Sequence, residues 1–416
     1  MEITLFSPKP HGTIGAIPSK SCAHRILICA ALADTTTVIK CSRSSDDIDA
    51  TVSCLRSLGA EIDCTDDGFI VTPIISAPSE AILHPGESGS TLRFLLPVAS
   101  VLGTDAEFIT NGRLSSRPLS PLTDELERHG AKFMSNPIRI SGRISPGTYT
   151  IDSSVSSQFT TGLMLALPYF GKESVITLNG NTESKPYITL TAQILALFGI
   201  NAAEKENAYA LSGKYTSPSV ISVEGDWSNA AFMLAMGAIS DSGDKSGITV
   251  TGLNFDTSQG DRRIADILSE FGAAVSIDGT NITVKKAPLH GIELNASDIP
   301  DLVPIVSVLA MAADGNTVIH NCGRLRFKES DRIESICRMI GAFGGNISVD
   351  NDIITVHGGL DEKDNVVVDS FNDHRIVMAS AAGAILTHSP VTITNCEAVS
   401  KSYPNFFDDL GKLCIN

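Results

Sequence analysis

Six stretches of the chain are apolar on nearly every side, at 26–33, 92–102, 161–170, 230–239, 303–313 and 376–386. A helix with no polar face is surrounded by protein, so these stretches predict six buried helices. A second set is one-sided. Ile48, Val52, Leu55 and Leu58 line one face of a helix that stops at Gly59, and Ile264, Ile267, Leu268 and Phe271 repeat the stripe before Gly272. The other copies end at Gly130, Gly199, Gly344 and Gly411, where glycine suits a left-handed C-terminal turn. After most of these helices come short β-rich runs joined by turn residues, such as EIDCTDDGFIVT and AVSIDGTNITV.

Each buried helix opens on a polar segment: SKSCAHR, ESGSTLR, SSVSSQF, DWSNAAF, DIPDLVP and NDHRIVM. Ser21, Ser90, Gln158, Asn229, Asp301 and His374 mark them at intervals of 68 to 73 residues, so one supersecondary unit is used six times. The fold class is α/β, with two inside-out domains of three repeats each. Buried helices lie at the centre, and sheets and amphipathic helices lie outside. The candidate crossings between domains are Pro18 to Lys20 and Val223 to Asp226. One domain is then 19–225. The other is discontinuous, 1–18 plus 226–416, with the opening strand MEITLFSP completing it. Parallel buried helices bring their N-termini to one face, each with roughly half a positive charge. Two such faces opposed would form a positive interdomain cleft.

Composition narrows the chemistry. A length of 416 residues with 43% apolar content supports two or three globular domains. No apolar run approaches a membrane span, and MEITLFSPKPHG does not read as a secretory signal or transit peptide. A cytoplasmic protein without membrane association is expected. The nine cysteines include no CxxC pair and the nine histidines no HExxH, so free thiols and no metal site are expected. A net charge of −16 argues against a nucleic-acid partner. Bound anions must be captured by local cations.

Those cations stand where a helix dipole would reject them. Lys20 and Arg25 flank the first buried helix, Arg93 is in the second and Arg375 opens the sixth, while Arg117, Lys328, Arg332 and Lys401 lie in nearby connections. Any single one could be a solvated surface charge. Recurrence at equivalent positions instead points to a multiply charged anion that neutralises side chain and helix end together. Ser156, Ser157 and Gln158 offer donors at the third buried helix, and simple capping is compatible with that. Glu87 to Thr91 lacks the lysine of a phosphate-binding loop and the last glycine of a nucleophile elbow. Asp301 and Glu329 are candidate general base and acid; as plain structure, Asp301 is a first-turn acid and Glu329 a partner of Lys328 and Arg332. Asn372 to Arg375 also reads as a helix cap.

Taken together, the motifs resemble the enolpyruvyl transferases, and within them the branch whose acceptor is shikimate 3-phosphate. The likeness rests on SKSxxxR, GESGSTLR, Arg117-Pro118, SSQ, SKPY, IPD, KESDR, NDHR and KSYP in that order, and it covers essentially the whole chain. It implies the same inside-out fold. It also implies transfer of the enolpyruvyl group of phosphoenolpyruvate to the 5-hydroxyl of shikimate 3-phosphate, through a tetrahedral intermediate that loses phosphate. By the resemblance, Lys20, Ser21, Arg25, Ser156, Ser157, Gln158, Ser184, Tyr187, Asp301 and Lys328 hold shikimate 3-phosphate. Lys20, Gly89, Arg117, Gln158, Arg332, Arg375 and Lys401 hold phosphoenolpyruvate. Asp301, Glu329 and Lys20 are the implied catalytic groups, with no cofactor or metal and with a monomer as the working form. Glu87 and Arg324 depart from residues common in the family. A sister branch acts on UDP-N-acetylglucosamine and commonly uses a loop cysteine, but no cysteine occurs between Cys64 and Cys322. A non-catalytic anion-binding scaffold is the alternative of a different class. A nucleic-acid end-processing enzyme built on a related repeat fits the acidic balance poorly.

Overall fold

The computed structural model describes residues 1–243, 247–361 and 363–415, without the Ile415 side chain. Its α-helices are α1 (Lys20–Ala31), α2 (Asp46–Ser57), α3 (Gly89–Leu102), α4 (Leu122–Arg128), α5 (Ser157–Ala166), α6 (Lys185–Leu197), α7 (Trp227–Ile239), α8 (Ile264–Glu270), α9 (Val303–Ala312), α10 (Arg332–Phe343), α11 (His374–Gly383) and α12 (Phe406–Ile415). The odd-numbered helices are the buried set. Every residue of α7 is buried, from Trp227 to Ile239. By contrast, α10 buries one face, built on Ile333, Ile336, Met339, Ile340 and Phe343. Burial on all sides rather than helix propensity explains why such apolar segments hold their shape.

Each repeat wraps its buried helix in a small mixed sheet. In the second, strand Glu80–Gly86 precedes α3 and runs parallel to Asp105–Thr110, which pairs antiparallel with Ile138–Ser141, and Lys132–Ser135 closes the hairpin antiparallel to Ile138–Ser141 at the sheet edge. Among the described residues five sheets have this four-stranded order. The sixth has three strands, and Glu2–Phe6 enters it antiparallel to Pro390–Thr394. Two repeats exchange their leading strands. Gly12–Gly15 precedes α1 but pairs with Ile248–Thr251 of the fourth repeat. Val220–Ser222 precedes α7 but pairs with Thr37–Lys40 of the first.

The chain accordingly divides into a continuous unit, Pro18–Val223, and a discontinuous one, Met1–Ile17 with Glu224–Asn416. This sets the crossings slightly earlier than 18/19 and 225/226. Glu224 already belongs to the discontinuous unit, because its carboxylate accepts from Asn254, Thr257 and Gln259. Each unit has its own hydrophobic core.

Five amphipathic helices are followed by a glycine with positive φ, at Gly59, Gly130, Gly199, Gly272 and Gly344. Gly411 corrects the sixth expectation. It lies inside α12, where buried Leu410 and Leu413 carry the apolar stripe past it. A different glycine role sets the spacing of buried helices. A Cβ on Gly162 of α5 would lie 2.5 Å from the Arg93 carbonyl oxygen of α3, so these helices touch backbone to backbone.

Candidate active site

In the continuous unit the buried helices are capped by neutral hydroxyls. Ser19 accepts from the Cys22 amide, Ser88 from Thr91 and Ser156 from Gln158. The first turns are tied side by side. Gln158 Nε2 donates to Ser90 Oγ at 3.0 Å and Arg93 Nη1 donates to Gln158 Oε1 at 2.6 Å, which joins α3 to α5. Arg25 joins α1 to α5 and α6: it donates to the Ser21 and Tyr187 carbonyls and to the Thr191 and Thr161 hydroxyls. Burial lowers its pKa to about 10, so the guanidinium stays charged at neutral pH.

Lys20 Nζ lies 2.8 Å from the carboxylate of Asp47, in the first turn of α2. Arg117 packs on Gly89, where a Cβ would stand 2.8 Å from Nη1. Only glycine admits a guanidinium that close to the start of α3. The carboxyl of Glu87 packs on Gly112 in the same way. Ser184 is buried at the N-cap of α6 with φ 53° and ψ 42°, a left-handed conformation that is unfavourable for a residue with a Cβ. Its carbonyl accepts from the Tyr187 amide. Ser157 is buried, while Ser21, Ser156, Gln158 and Tyr187 are half-buried.

The discontinuous unit is capped by carboxylates instead. Asp226 caps α7 and Asp373 caps α11; α9 has no side-chain cap, but Asp301 stands just ahead of it. Arg332, whose side chain is 1% exposed, is the hub. Its Nε donates to Asp373 at 2.8 Å, Nη1 to Asp301 at 2.6 Å and Nη2 to Glu329 at 2.5 Å. Arg375 Nη2 lies 3.1 Å and Lys328 Nζ 3.4 Å from Asp301. Lys401 is buried, with Nζ donating to the Asn372 carbonyl at 2.6 Å.

The electrostatic consequences are specific. Burial opposes the charge of Asp301, yet Arg375, Lys328 and Arg332 together hold its carboxyl well below the usual carboxylate range. Burial pushes the Lys328 ammonium down to about 8, against the pull of Asp301. Asp261, hydrogen-bonded by Ser228 of α7, is pushed up to about 6 by burial and then by Asp301.

Lys20, Ser21, Arg25, Gly89, Arg117, Ser156, Ser157, Gln158, Ser184 and Tyr187 thus belong to the continuous unit, and Asp301, Lys328, Glu329, Arg332, Arg375 and Lys401 to the discontinuous one. Sequence reasoning missed Asp47 as partner of Lys20, the Asp261–Ser228 pair, and Asp373 as the buried counter-ion of Arg332. All three read as ordinary polar residues at the starts of helices. Among the described residues no group of three His, Cys, Asp or Glu could hold a metal ion, and the nine cysteines are free.

A family model described as EPSP synthase (3-phosphoshikimate 1-carboxyvinyltransferase) matches residues 8–410. The chain belongs to the EPSP synthase family. Among its relatives, the 3-phosphoshikimate 1-carboxyvinyltransferase of Clostridium novyi is 36% identical, covering 99% of this chain and 97% of the relative. That of Brachyspira hyodysenteriae is 35% identical, with 99% of each covered. EPSP synthase from Acinetobacter baumannii superposes with a TM-score of 0.80 at 24% identity, covering 100% of this chain and 98% of that one. The enolpyruvyl transferase NikO from Streptomyces tendae gives 0.76 at 16% identity, covering 99% and 96%. These two likenesses establish the inside-out α/β fold. Family membership favours the shikimate branch over the UDP-sugar branch.

Proposed function

We infer that this chain transfers the carboxyvinyl group of phosphoenolpyruvate to the 5-hydroxyl of shikimate 3-phosphate, in the shikimate pathway of aromatic amino-acid biosynthesis. The 5-hydroxyl oxygen bonds to C2 of phosphoenolpyruvate while C3 gains a proton. The resulting tetrahedral intermediate then loses phosphate from C2 and a proton from C3, which restores the double bond. No cofactor enters, because phosphoenolpyruvate brings its own leaving group.

The observation that carries the assignment of roles is the contrast in helix capping. Neutral serine caps with Arg25 and Lys20 suit the phosphate and carboxylate of shikimate 3-phosphate, received by Ser21, Ser156, Ser157, Gln158, Ser184 and Tyr187. Asp301 and Glu329, held on one guanidinium, suit proton transfer. Asp301 takes the proton of the 5-hydroxyl, and with Lys328 it orients the ring hydroxyls. Glu329 delivers and later removes the C3 proton. Lys20 supports this transfer and stabilises developing charge. Gly89, Arg117, Gln158, Arg332, Arg375 and Lys401 position phosphoenolpyruvate. Screening two polyanions so that they can touch is the main physical task.

In the substrate-free protein Asp301 is a poor base, because three cations stabilise its carboxylate. An arriving substrate carboxylate draws Arg375 and Arg332 toward itself, and the proton affinity of Asp301 rises as that stabilisation is shared. Base strength thus develops on binding. Cytoplasmic location and a monomeric working form belong to the same reading.

The deciding experiment is phosphate release from phosphoenolpyruvate with and without shikimate 3-phosphate. Release only with the acceptor is expected, and turnover with UDP-N-acetylglucosamine alone would overturn the reading. Lys328 adds a pH signature. Its ammonium titrates near pH 8, and only the charged form attracts the substrate. Above pH 8 the KM for shikimate 3-phosphate is expected to climb by up to about tenfold per pH unit. Lys328→Arg should flatten that rise, because guanidinium stays charged. A parallel rise in both proteins would remove Lys328 from the site.

A further inference from the structure

The histidine of SKSCAHR has no role in the chemistry above, yet it is unusually placed. His24 is 1% exposed on α1, with its ring edge-to-face on Phe94 of α3. Its Nδ1 lies 2.7 Å from Thr51 Oγ1 of α2, and Thr51 Oγ1 lies 2.7 Å from Thr91 Oγ1 of α3. Thr91 Oγ1 donates to Ser88 Oγ at 2.8 Å. A buried polar chain thus runs from His24 to the cap of α3. The Asp47 carbonyl is a distant acceptor shared by Thr51 and Thr91, and the Asp47 carboxylate holds Lys20.

Proton accounting gives this chain a direction. Ser88 Oγ accepts from both the amide and the hydroxyl of Thr91, which occupies its two lone pairs. Because Thr91 donates to Ser88, it accepts from Thr51. Thr51, having donated, accepts from His24, whose proton is therefore on Nδ1. Nε2 is left as a bare lone pair and meets no partner among the described residues. Burial, then Lys20 and Arg25, keep the ring well below the usual histidine range, hence neutral. At the far end the Ser88 proton finds no acceptor among the described residues, although Ser88 is 1% exposed. A buried donor without an acceptor is costly. It makes sense where a ligand oxygen completes it, next to Gly89 and Arg117.

We propose that His24 is a positioning residue for the carboxyvinyl transfer: through Thr51 and Thr91 it fixes the Ser88 hydroxyl as a donor to the phosphoenolpyruvate anion at the start of α3. This rests on the reading of the site given above. Acting through two hydroxyls, His24 touches neither substrate.

The test compares His24→Leu, His24→Asn, Thr51→Val and Thr51→Ser with the unchanged protein, assayed with phosphoenolpyruvate and shikimate 3-phosphate. Thr51→Val keeps the shape of the side chain and removes the link, together with the long 3.4 Å contact to the Asp47 carbonyl, which Thr91 shares. It is expected to raise the KM for phosphoenolpyruvate by about tenfold, the worth of one hydrogen bond to a charged group, while kcat and the KM for shikimate 3-phosphate change less than about twofold. His24→Leu should do the same, and the double variant should be no worse than either single one. His24→Asn and Thr51→Ser, which restore a donor and a hydroxyl, should recover most of the affinity. An unchanged KM in Thr51→Val, additive effects in the double variant, or equal losses for both substrates would overturn the proposal. Absence of turnover in the unchanged protein would instead overturn the assigned reaction, so the two failures are separable. If His24→Leu does not fold, the Thr51 pair decides alone.

Discussion

Asp301→Asn is expected to lower kcat by about 10² to 10⁴-fold while both substrates bind at least as tightly as before. Asparagine keeps the shape and one acceptor oxygen, so Arg332 Nη1, now 2.6 Å from Oδ1, retains a partner. The negative charge is gone, however, and with it the counter-ion that Arg332, Arg375 and Lys328 share. Those cations then meet an incoming carboxylate or phosphate without internal competition. Lower kcat together with unchanged or lower KM is the signature of a group needed in the transition state that opposes anion binding in the ground state. Steady-state kinetics with titration of each substrate measures both quantities. A fall in kcat of less than about tenfold with a raised KM would mean that Asp301 only organises its cations. That result would return it to a plain structural role, not as the first-turn acid the pattern suggests, since it stands ahead of α9, but as the shared counter-ion of Arg332, Arg375 and Lys328.

The difference between those outcomes is also the difference between what the residue pattern discloses and what it hides. The buried helices were legible because an apolar surface on all sides has one physical meaning, and 227–239 is the extreme case. The recurrence of polar openings marks the N-termini of those helices in the sequence itself. Gly411 misled for a definable reason. A C-terminal glycine rule needs a left-handed turn, whereas α12 continues through this position on the burial of Leu413. The candidate site can be read from the residue pattern as a list of cations, and much less so as a set of pairs. Nothing local ties Arg332 to Asp373, 41 residues away, or to Asp301, 31 residues away. The packing of α9, α10 and α11 brings them together. Likewise Thr51 and Thr91 read as minor polar positions in helices, and only the contact of α1, α2 and α3 makes them a relay from His24 to Ser88.

The same web makes Arg332 the residue whose loss should hurt the fold most. Arg332→Met is expected to remove activity and to lower the stability of the discontinuous unit by about 3–5 kcal/mol, the usual penalty for stripping one partner from a buried ion pair. Methionine fills much of the volume, so the penalty is electrostatic. Asp373 is fully buried and loses its Nε donor, while Asp301 and Glu329 lose a shared one. Lysine is a poor substitute, because one ammonium cannot reproduce a planar fork that reaches three carboxylates. The single tryptophan, Trp227, lies fully buried in α7 of this same unit, so its fluorescence during urea unfolding reports the affected half selectively. A second change distinguishes this cause from lost packing. Adding Asp373→Asn to Arg332→Met removes one stranded carboxylate and should restore part of the stability, whereas Asp373→Asn alone should destabilise by weakening the cap of α11 and the hold on Arg332. Simple additivity of the two losses, or a cost below about 1 kcal/mol for Arg332→Met, would mean the carboxylates are hydrated rather than dependent on this guanidinium.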